Sequence, residues 1–327
     1  MKKLICIILC AIMALSVLTF VSCEQTAPTL KMGMGVYTAT PTVSDATEEK
    51  NGSGKVAVTA AVITVDADGK LVSCQLDTME CSVAHTLDGK AIASNGFKTK
   101  TELGSDYGMV AYAGSAKEWF EQADAFETVV AGKTLDEIKA LVAEGNKGTD
   151  EVVSAGCTIM VHEFVKAIEA AYGTLADSSV TADHTLKLGM HAEQTTADAT
   201  EEKDGSSQVE VSIFGAAVDA DGKVVDSTTD CVQVKFTFDL TGKATLDTTK
   251  TISSKRQAGA DYGMIAWGGA AKEWFEQADA FDAACVGKTA TEIAALAGSD
   301  NYGTDELKAA GCTILVNGMV KAAVKIG

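Results

Sequence analysis

The segment "AKEWFEQADAF" stands at residues 116–126 and again, unchanged, at 271–281. Its period is helical: Trp119, Ala123, Phe126 and, beyond it, Val130 fall on one stripe, with polar residues on the other faces. Gly132 follows where a helix ending in a left-handed residue is expected. A helix written twice implies a unit written twice, and the flanking sequence agrees. "LKMGM" at 30–34 answers "LKLGM" at 186–190, and "DATEEK" occurs at 45–50 and 198–203. "DADGK" occurs at 66–70 and 219–223, "DYGM" at 106–109 and 261–264, and "AGCTI" at 155–159 and 310–314. Two copies of about one domain each follow, at 30–173 and 186–327, with 174–185 as a small and polar linker. Such a linker implies halves that fold separately.

Within a copy, "QVEVSIFGAAV" at 208–218 opens with strand alternation, Val209, Val211 and Ile213 against Glu210 and Ser212. "DADG" is a turn in which Gly takes positive φ. "CVQVKFTFD" at 231–239 alternates again. Each copy therefore opens with an antiparallel meander. The repeated helix follows, then a short helix at "LDEIKALV", a brief strand at "CTIMV" and a closing helix at "HEFVKAIEAAY". The fold class is α+β, with helices packed on a sheet, twice over.

Residues 1–22 read as a secretory signal, with Lys2 and Lys3 before an apolar run. "FVSC" at 20–23 has the form of a lipobox, which makes Cys23 the lipidated residue and 23–29 a tether on the outer face of the cell membrane. The chain carries 27 basic and 45 acidic residues, net −18, and loses two lysines with the signal. That charge argues against nucleic-acid partners. None of the four histidines recurs at the equivalent place in the other copy, which disfavours a duplicated histidine-based active site or metal site. No GxGxxG or P-loop is present. Of the cysteines beyond the signal and Cys23, only Cys157 and Cys312 match between copies. The others read as small buried apolar residues.

The order of meander, "DYGM", "KEWFEQADAF", "GKT", acidic pair, then "AGCT" before a helix resembles the bacterial FMN-binding domain family, and most of all its tandem-domain flavin lipoproteins of extracellular electron transfer. The resemblance spans both copies. In that family a flavin transferase joins the FMN phosphate to the threonine of a D-x-x-S/T-G-A-T motif. The resemblance thus implies FMN on Thr158 and Thr313, one per copy, and makes the protein an electron carrier rather than an enzyme with a substrate of its own. Its donor and acceptor are not legible. Here Ala155 and Ala310 replace the family's Ser or Thr, Cys157 and Cys312 replace its Ala, and the nearest upstream acids are Asp150 with Glu151 and Asp305 with Glu306.

The residues fit such a site. Gly156 and Gly311 leave the backbone bare beside the threonines. Tyr107, Met109, Tyr262 and Met264, with Trp119 and Trp274, offer flat apolar walls. The closing helices could aim N–H groups at a phosphate. Against this, the tryptophans suit a core equally well. Two other readings compete: a cofactor-free surface lipoprotein acting as a binding module, and a redox thiol protein built on Cys157 and Cys312.

Overall fold

The computed structural model describes residues 27–246 and 252–327. The signal segment and Cys23 lie outside the described residues. The chain is mixed α and β, with antiparallel sheets and helices packed on them.

In the first half, β1 (Lys31–Thr38), β2 (Gly52–Val65) and β3 (Leu71–His85) form a meander. Short strands at Thr42–Ser44, Ala91–Ile92 and Ala176–Asp177 extend this sheet. In the second half, β4 (Thr185–Ala197), β5 (Gly205–Val218) and β6 (Val224–Phe238) repeat the pattern, with Ala244–Thr245 at the edge. The two "DADGK" turns are built alike. Asp66 Oδ1 accepts from the N–H groups of Asp68 and Lys70, both at 2.9 Å, and Asp219 Oδ1 accepts from those of Asp221 at 3.0 Å and Lys223 at 2.9 Å. Gly69 and Gly222 take positive φ there, which L side chains adopt at a cost.

The outer face of the first sheet carries α1 (Trp119–Val130) and α2 (His162–Tyr172). That of the second carries α3 (Trp274–Cys285) and α4 (Asn317–Ala323). The expected stripe is the buried one: Trp119, Ala123, Phe126 and Val130 all face the sheet, and α1 stops before Gly132 at φ +78°. "CTIMV" corrects the reading. It is no strand but a turn held by a single bridge between Lys147 and Met160, because the chain must reverse from one short helix into α2.

The inner faces of the two sheets pack on each other. Met34, Val58, Val62 and Met79 share one core with Met190, Val211, Ile213 and Phe236. At Gly54 an added Cβ would lie 2.4 Å from the Phe236 ring, so glycine sets how closely the sheets approach. The "DATEEK" repeats have a role in this union. Ala46 N–H donates to the Gly242 carbonyl and Ala199 N–H to that of Gly89, both at 2.8 Å. Asp45 accepts from Ala244 N–H at 2.8 Å, and Asp198 from Ala91 N–H at 2.9 Å. Each half grips the edge turn of the other. Residues 174–185 also join the fold, since Ala176–Asp177 pairs with β1 and Val180 lies in the shared core.

This shared core argues against halves that fold separately. Fragments 30–173 and 186–327, expressed apart, each expose an apolar sheet face that the intact chain buries. Each should lose its cooperative urea transition and recover it on mixing. A fragment that unfolds alone with the stability of the whole chain would contradict a shared core.

Candidate functional site

The repeated segment positions the threonines. Gln122, on α1, is fully buried, and its Oε1 accepts from both Thr158 N–H at 2.8 Å and Thr158 Oγ1 at 3.0 Å. Its Nε2 donates to the Lys117 carbonyl at 3.1 Å. In the second half, Gln277 Oε1 accepts from Thr313 N–H at 2.9 Å and Thr313 Oγ1 at 3.0 Å, and its Nε2 donates to the Lys272 carbonyl at 3.1 Å. A buried amide with its hydrogen-bonding groups paired is rigid, and it fixes an otherwise exposed threonine at the surface.

The glutamate of the same segment holds the "DYGM" loop. Glu118 caps α1 and accepts from Met109 N–H at 3.0 Å. Glu273 does the same for α3 and Met264 N–H, also at 3.0 Å. The lysine completes the set. Gly156 and Gly311 sit in left-handed backbone at φ +102° and +106°. A Cβ on Gly156 would meet Lys117 Nζ at 2.3 Å, and one on Gly311 would meet Lys272 Nζ at 2.2 Å. Each glycine thus lets an ammonium lie over the turn beside the threonine.

In the second half Thr313 and Met264 border a cleft of about 490 Å³, lined also by Tyr262, Trp274, Lys255 and Glu210 among others. That volume lies within the range of roughly 300–1,000 Å³ usual for small-molecule sites. Lys255 Nζ sits 5.2 Å from the Tyr262 ring centre, 5.3 Å from that of Trp274 and 3.4 Å from Glu210 Oε1. Burial disfavours its charge, yet Cys231, Glu210 and Tyr262 outweigh burial and push it up to about 12. A fixed cation thus stands over two aromatic faces. Glu193 reaches the cleft from β4, bonded to Asn317 Nδ2 at 3.1 Å and to Lys321 Nζ at 2.6 Å.

The structure gathers Tyr262, Met264 and Thr313 around one space. Trp274 serves both readings of it, since it is buried in the core and also borders the cleft. Cys157 and Cys312, expected beside the cofactor, are instead fully buried in the cores under the helices. Burial pushes both thiols up to about 11, which leaves them protonated and weakly nucleophilic at neutral pH. All six cysteines among the described residues are unpaired. Sequence reading passed over Gln122 and Gln277, Lys117 and Lys272, and Lys255. The first four lie within or beside the identical segments on positions outside the apolar stripe, and that was the available signal.

Among the described residues no helix is long and apolar enough to cross a membrane, and no cluster of three or more His, Cys, Asp or Glu is placed to hold a metal. No model of a known protein family matches the chain, and no solved structure matches it. A stretch of 108 residues is 32% identical to a chlorophenol reductase of Desulfitobacterium hafniense. The match covers 29% of this chain and 33% of that protein.

Proposed function

We propose that the protein is a lipid-anchored carrier of electrons on the outer face of the cell membrane, built as two copies of one domain and holding FMN through a phosphoester to threonine. One observation carries this reading: Thr313, its hydroxyl fixed by Gln277 and flanked by Lys272, borders a cleft walled by Tyr262, Met264 and Trp274. The residues present fit such a group. The Lys272 ammonium suits a phosphate, the aromatic and thioether walls suit a flat ring, and Gly311 keeps the approach open. FMN, when bound, supplies reversible one- or two-electron chemistry.

The chain's own residues supply placement. Gln277 Oε1 accepts from both the N–H and the hydroxyl of Thr313, so the N–H bond persists once the hydroxyl proton is lost in ester formation. Lys255, over Tyr262 and Trp274, places positive charge beside the ring site and favours a reduced, more negative ring there. The same Thr–Gln–Lys grouping recurs at Thr158. A flavin transferase is the partner that this chemistry requires, drawing on a flavin dinucleotide. The threonine oxygen bonds to the FMN phosphorus as the diphosphate bond breaks, and the nucleoside monophosphate leaves with the proton balance closed in solvent.

A cofactor-free binding module is the second reading. It is favoured by the loops that follow "DYGM", where Tyr112 is 89% and Trp267 83% exposed. The absorption spectrum of the purified protein separates the two, because a module without cofactor is colourless. Anchoring rests on "FVSC". Cys23→Ala should move the protein from the membrane fraction to the soluble one or block its maturation, and a variant that still sediments with membranes as wild type does would rule the anchor out.

A further inference from the structure

The halves match in their threonine clamps but not in the space beside them. Immediately after the threonine turn, α2 begins His162, Glu163, Phe164, whereas α4 begins Asn317, Gly318, Met319. The floor of the second-half cleft includes Ser212 on β5, whose counterpart by strand register is Thr59 on β2. Gly318 has no side chain, and a Cβ built on it would lie 2.7 Å from Ser212 Oγ. In the first half that direction is filled. Glu163 reaches across, and Thr59 Oγ1 donates to its Oε2 at 3.5 Å. Phe164, in place of Met319, packs edge-on against Trp119 with ring centres 5.6 Å apart. A cleft of about 430 Å³ lies at part of the matching position in this half, since Lys55, Ala57 and Glu80 are the register counterparts of Gln208, Glu210 and Gln233, but its lining stops short of Thr158, Tyr107, Met109 and Trp119.

From this we infer that one FMN ring is enclosed per chain, in the cleft of the second half, and that Glu163 and Phe164 close the threonine side of the equivalent space in the first. The inference rests on the FMN reading above and deepens it. Size decides: the Glu163 side chain occupies the space over the floor that Gly318 leaves open in the second half. An ester formed at Thr158 has no enclosing cleft that reaches the threonine. The two halves then differ in solvent exposure of the ring, a property that separates redox potentials.

The test is reversible titration of the full chain with free FMN, without a transferase, followed by flavin fluorescence. Wild type should bind one equivalent. Gly318→Glu should weaken that binding by about tenfold or more, with an unchanged far-UV circular dichroism spectrum. Glu163→Gly should keep the first equivalent and add a second, weaker one. Two equal equivalents in wild type, or a folded Gly318→Glu variant that binds as wild type does, overturns the inference and leaves the FMN reading standing. No binding at all overturns both. Should Gly318→Glu fail to fold, tryptophan emission locates the site: FMN quenching should shrink in Trp274→Phe and not in Trp119→Phe. The reverse pattern places the ring in the first half and refutes the assignment.

Discussion

Thr158→Val combined with Thr313→Val should leave the protein without any covalently attached flavin after co-expression with a flavin transferase. The wild-type chain should carry one or two FMN-ester increments by intact mass. Thr313→Val should lose the increment of the second half alone, and Thr158→Val any increment of the first. Valine keeps the β-branched shape, and both threonines are exposed residues, so little packing is lost. Gln122 and Gln277 keep their bonds from the backbone N–H groups, which limits the folding cost to roughly 1 kcal/mol per site. A double variant that remains labelled places the attachment on another residue.

Stability should fall as pH rises from about 5 to about 8, and Glu127→Gln should flatten that decline. Glu127 extends from α1 toward β3, where its Oε1 accepts from Leu76 N–H at 2.6 Å and Gln75 Nε2 at 3.3 Å. Burial pushes its carboxyl up to about 8, with Asp124 and Asp77 adding to the effect against the Leu76 hydrogen bond. The second half has a different arrangement at this place. Asp282 stands there and meets Arg256 Nη2 at 2.7 Å, while Thr101 occupies the arginine's position in the first half. The sign follows from linkage. The unfolded carboxyl ionises near its ordinary value and the folded one only near 8, so the stabilisation is complete below about 4.5 and is lost as pH climbs through 8. The loss is on the order of 3 kcal/mol for this half-buried group. Urea denaturation of wild type and Glu127→Gln at pH 5, 7 and 9 measures it. Parallel profiles for the two proteins would show that Glu127 ionises normally in the fold.

Local structure was largely legible. The 3.6-residue stripe gave α1 and α3, and "HEFVKAIEAAY" matches α2 from His162 to Tyr172. The "DADG" turns follow from Asp and Gly alone. Where reading failed, a tertiary fact decided. "LKMGM" and "LKLGM" look aligned, but strand register places Gly189 opposite Phe214 and Gly35 opposite Ala61, so Gly35 and not Gly33 is its structural counterpart. A slip of two residues keeps every side chain on its face, so hydrophobic patterning cannot detect it. Alternating strands announce one buried face each but not what covers it. That the inner faces cover each other is visible only once Phe236 is seen against Gly54.

The site was legible in part for the same reason. Thr313, Tyr262 and Met264 were marked by repetition beside a glycine turn. Cys312 was marked equally, yet it points the other way, because neighbours in a tight turn alternate between core and surface. Gln277 and Lys272 carry no motif of their own. Their meaning appears only when the helix is laid against the turn. Glu163 and Gly318 are informative because they differ, and a search for what the copies share passes over them.

The central claim is that this protein carries flavin, and its absorption spectrum tests that most directly. Full-length chain co-expressed with a flavin transferase, then denatured and desalted, should retain a flavin band in the blue that disappears from the Thr158→Val, Thr313→Val double variant. Colourless wild-type protein that also fails to bind free FMN would contradict the account and favour the cofactor-free binding module.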